Sequence, residues 1–164
     1  MEINIRKALP EDAYDFATCV ISCFQTAYKG IITDEYLHNM IIEKDKQIER
    51  YKKSLTDPGD CVYYCVMYEE KMIGFITINI NYEDNIWAIY LLEEFRGKGY
   101  GKIMLDFAVN ELKNIGQKEI ALWVFEENIK ARFFYEKNNF KFSGKKREME
   151  YGKPLVQLLY VLKP

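Results

Sequence analysis

The stretch Ile86-Trp87-Ala88-Ile89-Tyr90-Leu91-Leu92, Glu93-Glu94-Phe95, Arg96-Gly97-Lys98-Gly99-Tyr100-Gly101-Lys102 runs from an apolar strand through a glycine-rich turn. A helix follows at once. Glycines let a backbone approach a ligand closely and adopt conformations closed to other residues. The helix start presents free N–H groups and the positive end of its dipole, so the whole unit is built to hold an anion such as phosphate. Arg96, Lys98 and Lys102 add charge of the right sign.

Spacing decides which phosphate ligand the turn suits. A Walker loop needs glycine where Arg96 stands and a Ser or Thr where Ile103 stands. A dinucleotide fingerprint needs glycine at Lys102, and a kinase loop fails on the same spacing. What remains is Arg/Gln-x-x-Gly-x-Gly/Ala, supplied by Arg96, Gly99 and Gly101.

Working outward, the helix after the turn carries Ile103, Met104, Phe107, Ala108, Leu112 and Ile115 on one side, with Gly116 at a C′ position. Strand Ile120-Ala121-Leu122-Trp123-Val124-Phe125 follows, then a helix over 128–138 and two strands around 140–142 and 155–162. Upstream, Asp57-Pro58-Gly59-Asp60 is a turn that opens a hairpin of strands 62–68 and 72–78. Ile3-Asn4-Ile5-Arg6 reads as a first strand rather than a signal peptide. Pro10-Glu11-Asp12 starts a helix that can bury Ala13, Phe16, Ala17, Val20 and Phe24. Thr33 is placed to cap a second helical stretch, which continues with a break through 43–54. The order predicts one mixed α/β (α+β) domain over residues 1–164, with no internal repeat or linker.

Composition narrows the partners. A formal charge of -2 gives no basic field for nucleic acid. No apolar run approaches the ~20 residues that a membrane span needs. Cys19, Cys23, Cys61 and Cys65 form no Cys-x-x-Cys, and the single His38 is remote, so no metal is expected. They read as small reduced core residues, which makes a cytoplasmic location the default.

The residues quoted so far resemble the GNAT superfamily of N-acetyltransferases, in which the glycine-rich segment binds the pyrophosphate of acetyl-CoA. The resemblance spans most of the chain. Ile5-Arg6-Lys7-Ala8 with Pro10-Glu11-Asp12 looks like the family's first strand and helix, and Ile89-Tyr90-Leu91 like its fourth strand. Asn128, Ala131, Phe134, Tyr135 and Phe140 match its Asn-x-x-Ala…Phe-Tyr…Gly-Phe signature. Asn139 replaces the usual glycine, and asparagine tolerates the left-handed conformation. The segment 28–37 is similar to one in uncharacterised bacterial members.

The resemblance implies a mostly antiparallel sheet of about seven strands, with helices on both faces and a bulged fourth strand that splays from the fifth. It implies acetyl-CoA as co-substrate, its pantetheine arm along Ile89, Tyr90 and Leu91 and its pyrophosphate in residues 97–102. The Leu91 backbone N–H would hold the oxyanion, and Tyr135 would protonate the leaving thiolate of reference pKa ~8.5. Asn128 either caps its helix or contacts the cofactor. An acceptor amine of pKa ~10.4 must lose a proton at a cost of ~4.6 kcal/mol at neutral pH. A water relay is the preferred route, with Asp84 and Glu126 as alternatives; Asn85 and Trp123 occupy the positions where the family often carries an acid. Tyr28, Ile31, Ile32 and Tyr36 are candidates for the acceptor wall, and equally for core or dimer surface. The acceptor is expected to be a primary amine on a small molecule or protein N-terminus. A homodimer fits the family and an aromatic content of 15%. A competing reading keeps the fold as a non-catalytic acyl-CoA sensor. The missing base motivates it; Arg96, Gly99, Gly101 and Tyr135 oppose it.

Overall fold

The computed structural model describes residues 2–164. Its strands are β1 (Asn4–Lys7), β2 (Cys61–Tyr68), β3 (Lys71–Asn79), β4 (Ile86–Leu91), β5 (Ile120–Phe125), β6 (Lys141–Glu150) and β7 (Pro154–Leu162). Its helices are α1 (Ala13–Ala27), α2 (Asp34–Ile42), α3 (Lys44–Thr56), α4 (Tyr100–Asn114) and α5 (Ile129–Lys137). Short 3-10 turns occupy Pro10–Asp12 and Glu93–Phe95. No helix among the described residues is long and apolar enough to cross a membrane.

The strands form two antiparallel sheets, β1-β2-β3-β4 and β5-β7-β6. The expected splay of the fourth strand is therefore a complete break in the ladder between β4 and β5. The expected bulge is present too: Thr77 pairs with Ala88 and Ile78 with Ile86, which leaves Trp87 as the extra residue of β4.

One side chain closes the break at its narrow end. Asn85 is fully buried; its Nδ2 donates to the Glu119 carbonyl and its Oδ1 accepts from the Ala121 N–H, both at 3.0 Å. A side-chain amide thus stands where backbone pairing has stopped. Beyond it the strands diverge.

Helices cover both faces. α4 and α5 pack Met104, Leu105, Ala108, Leu112 and Tyr135 against Ile86, Leu91, Leu122 and Val124. On the other face α1 and α2 bring Phe16, Val20, Cys23, Leu37 and Met40 against Cys65, Phe75 and Phe125. The N–H of Tyr36 donates to Thr33 Oγ1 at 3.2 Å, so Thr33 caps α2. The four cysteines are free, with Cys19, Cys23 and Cys65 buried.

Three details differ from the sequence reading. Ile103 and Ile115 are exposed, at 50% and 54%, while Leu105 is buried, because the inner face of α4 follows 104, 105, 108 and 112. β6 runs through residue 150 rather than ending at 142. It is a charged edge strand, kinked where the register shifts between Phe142 and Lys146, so it lacks an apolar alternation. α1 begins at Ala13, after the 3-10 turn that Pro10 opens.

Candidate functional site

The two ladders define what faces the break. Leu92 N–H donates to Ile73 O at 2.8 Å, and Gly74 pairs with Leu91. Alternation along an antiparallel pair then turns the N–H and C=O of Ile89 and Leu91 away from β3. On β5, Glu126 N–H donates to Val156 O at 2.9 Å, and Ala121 N–H is the one that Asn85 receives. The same alternation turns residues 121, 123 and 125 away from β7. Backbone groups of both strands therefore look across a V that lacks a middle strand. The V is part of a cleft of about 1550 Å³, lined among others by Ile89, Tyr90, Leu91, Arg96, Gly97, Gly99, Gly101, Asn128 and Tyr135.

At the wide end lies the glycine turn. Gly97 and Gly99 hold φ of 73° and 85°, where a side chain is strained, and a Cβ on either would meet nothing within 4 Å. Gly99 precedes α4 with no side-chain cap, so the first N–H groups of α4 lack intrahelical acceptors. Phe134 of α5 lies 3.5 Å from where a Cβ on Gly101 would stand. Arg96 braces the turn rather than reaching out: Nε donates to Leu91 O at 2.9 Å and Nη2 to Thr26 Oγ1 at 3.0 Å. Lys98, Tyr100 and Lys102 are absent from the lining; Lys98 Nζ lies 5.4 Å from the Phe95 ring and Lys102 pairs with Asp106 at 2.7 Å.

Where the strands part, three phenols meet. Tyr28 and Tyr90 hydroxyls hydrogen-bond each other, and Tyr90 stacks on Phe75 at 5.1 Å. Tyr135 enters from the α5 face. Burial, then the neighbouring Tyr28, pushes its pKa up, so the phenol stays protonated at neutral pH. Burial likewise raises Tyr28 and Tyr90. Asn128 caps α5, its Oδ1 accepting from Ala131 N–H at 3.2 Å, and it also lines the cleft.

The candidate proton acceptors separate. Asp84 lines the cleft and accepts from the Trp123 indole N–H at 3.1 Å. Glu126 is not in the lining and pairs with Lys146 at 2.9 Å. Asn85 is the structural brace described above. Of the acceptor-wall residues, Tyr28 and Ile31 line the cleft, whereas Ile32 is core at 2% exposure and Tyr36 packs on Tyr151 at 5.5 Å. Sequence reasoning missed Thr26, Tyr151, Arg147 and Gln157 in the lining, because only strand pairing brings the last two beside β5. No group of three or more His, Cys, Asp or Glu side chains gathers among the described residues.

The family model for the acetyltransferase (GNAT) family matches residues 26–140, which include the split strands, the glycine turn and Tyr135. The chain belongs to the acetyltransferase (GNAT) family. This GNAT chain is therefore an acyltransferase enzyme. It is 30% identical over 145 residues to a spermidine N(1)-acetyltransferase from Thermoplasma acidophilum, covering 86% of this chain and 89% of that one. A peptidyl-lysine N-acetyltransferase, YjaB, from Salmonella typhimurium is 27% identical over 63% of this chain and 67% of its own. The solved structure of the PaiA N-acetyltransferase from Thermoplasma acidophilum in complex with coenzyme A superposes with a TM-score of 0.77 at 26% identity, covering 100% of both chains.

Proposed function

We propose that this chain, as one domain, transfers the acetyl group of acetyl-CoA to a primary amine of a small molecule or peptide, by direct attack with both substrates bound. The observation that carries this reading is the break between β4 and β5, where the backbone of Ile89 and the Leu91 N–H lack a strand partner and face a cleft that leads to the glycine turn. The relative solved with coenzyme A has the same fold along its whole length.

Acetyl-CoA supplies an activated acyl group on a thiol that leaves readily. This chain's residues divide the rest of the work. The N–H groups of residues 97–102, with the open space above Gly97 and Gly99, suit a pyrophosphate. Ile89 and Leu91 offer strand pairing to an extended arm, and the Leu91 N–H stabilises negative charge on the carbonyl oxygen. Arg96 fixes the neighbouring Leu91 carbonyl, so the strand edge is held in place. Tyr135 donates its proton to the departing sulfur. The burial that keeps this phenol neutral also desolvates a thiolate beside it and raises that thiolate's demand for a proton. The amine's own proton leaves through water, with Asp84 as the carboxylate that lines the cleft.

The relatives named above are named for a free polyamine and for a peptidyl lysine, so they support an amine acceptor without choosing between the two.

Calorimetry with acetyl-CoA and a CoA-release screen over amines test the reading. The native chain is expected to bind and to release CoA with at least one amine. Gly99→Asp, which adds bulk and negative charge above the turn, is expected to abolish binding while the chain stays folded. Normal binding by Gly99→Asp would refute the turn's role. Binding without release for any amine would refute turnover.

A further inference from the structure

On the face opposite α4 and α5, the cleft contains a half-exposed guanidinium held by two side chains. Arg147 on β6 pairs with Gln157 on β7, and Gln157 pairs with Phe125 on β5. Arg147 Nε donates to Gln157 Oε1 at 2.7 Å. Its Cζ lies 4.3 Å from the centre of the Trp123 ring, a cation–π stack that fixes the guanidinium plane. Asp84, itself held by the Trp123 indole N–H, comes no closer than 4.0 Å to Nη1, beyond hydrogen-bond reach. The Nη edge therefore makes no hydrogen bond to the described residues. A pinned arginine with a free two-nitrogen edge suits a carboxylate, which it binds through two parallel hydrogen bonds.

The surrounding charge agrees. The acids of the lining are Asp84, Glu93 and Glu127; Glu93 is at the approach to the glycine turn and Glu127 just ahead of α5. Only Asp84 stands beside Arg147; it accepts from the indole N–H and lies 4.0 Å from Nη1, an ion pair without a hydrogen bond.

Resting on the acetyltransferase reading above, we propose that the acceptor is a small amino-carboxylate, whose carboxylate sits on the Arg147 Nη edge while its amine reaches the gap between β4 and β5. The amine, having first lost a proton to water, forms the amide bond to the acetyl carbon as the carbon–sulfur bond breaks; the sulfur takes the Tyr135 proton, and the second proton leaving the nitrogen returns through water to the Tyr135 phenolate. Arg147 is a binding residue and takes no part in bond making.

Matched pairs test this: L-lysine against cadaverine, L-ornithine against putrescine and L-methionine against 3-methylthiopropylamine, with spermidine added. CoA release is expected to show at least a ~10-fold higher kcat/KM for one or more amino acids than for the partner lacking the carboxylate. Arg147→Met is expected to raise KM for that amino acid by about 10- to 100-fold, the scale of a lost charge-assisted contact. Its affinity for acetyl-CoA should be unchanged, and Arg147→Lys should recover part of the loss. Spermidine or the decarboxylated amines as best acceptors, or an Arg147→Met enzyme with unaltered KM, would overturn the proposal. Binding is read separately from the indole N–H resonance of Trp123. A shift with the amino acids, absent in Arg147→Met, supports the site even if turnover is slow, and no shift at millimolar amino acid overturns it. Loss of acetyl-CoA binding by the native chain would instead sink the underlying reading.

Discussion

Asn85→Ala is expected to destabilise this protein far more than an ordinary polar substitution in a loop. The native side chain is fully buried and makes two hydrogen bonds of 3.0 Å, to Glu119 O and from Ala121 N–H. Alanine removes both and brings no replacement. Ala121 faces away from β7, so its N–H has no strand partner to turn to. Each buried group left without a partner costs about 1–3 kcal/mol. The pair sums to about 2–6 kcal/mol, and at about 2–4 °C per kcal/mol for a chain of this size the midpoint should fall by about 10 °C. Urea unfolding gives the energy, and amide hydrogen exchange gives the place. Ala121 should lose protection, while Leu122, whose pairing lies within the β5–β7 ladder, keeps most of its own. Asn85→Asp adds a directional check. The carboxylate would face the Glu119 carbonyl in a buried site, so its folded pKa is raised above the unfolded ~3.9. That variant's stability should be highest below the unfolded value and be lost as pH rises through the folded one. A loss under about 1 kcal/mol in Asn85→Ala, with Ala121 protection intact, would refute the idea that this amide joins the two sheets.

Tyr135→Phe is expected to lower kcat by about 100-fold or more with little change in acetyl-CoA affinity, since the phenol acts on charge that appears only as the thiolate leaves. Unchanged kcat under rate-limiting chemistry would remove it from the acid role. Asp12 accepts two 2.8 Å bonds from Arg6 and one of 2.7 Å from Leu9 N–H, and the Arg6 contact foremost holds its pKa below the usual carboxylate range. A depressed folded pKa adds stability that is present above the unfolded value of ~3.9 and is lost as pH falls through the folded one. Asp12→Asn should therefore cost about 1–2 kcal/mol at neutral pH and flatten the acid limb of a denaturation profile, and an acid limb parallel to the native one would contradict this.

Local physics explains which parts were legible in the sequence. The glycine turn, the Thr33 and Asn128 caps and the left-handed Asn139 (φ 71°) each depend on residues a few positions apart, so their spacing could be read directly. The exposed Ile103 and Ile115 misled because apolar residues on a short helix can mark either its core side or its solvent side. β6 stayed hidden beyond residue 142 because an edge strand buries little, and its charged run carried no period.

The two halves of the site differ in legibility for the same physical cause. The donor half is one continuous stretch, 86–102, plus a helix that carries Tyr135. The acceptor half joins Asp84, Trp123, Arg147 and Gln157, which meet only through the β5-β7-β6 pairing and the loop before β4. Arg147 in the sequence is one cation in Lys145-Lys146-Arg147-Glu148, indistinguishable from a solvated face. Its neighbours Lys146 and Glu148 alternate to the opposite side of β6, where Lys146 reaches Glu126. Register alone sends Arg147 inward onto Trp123. A one-residue slip of β6 against β7 would exchange the faces and put Lys146 at the cleft, a flexible point charge with no fork to fit a carboxylate. The register that follows the shift between Phe142 and Lys146 is therefore, for the proposed amino-carboxylate, as much a part of acceptor choice as the arginine itself.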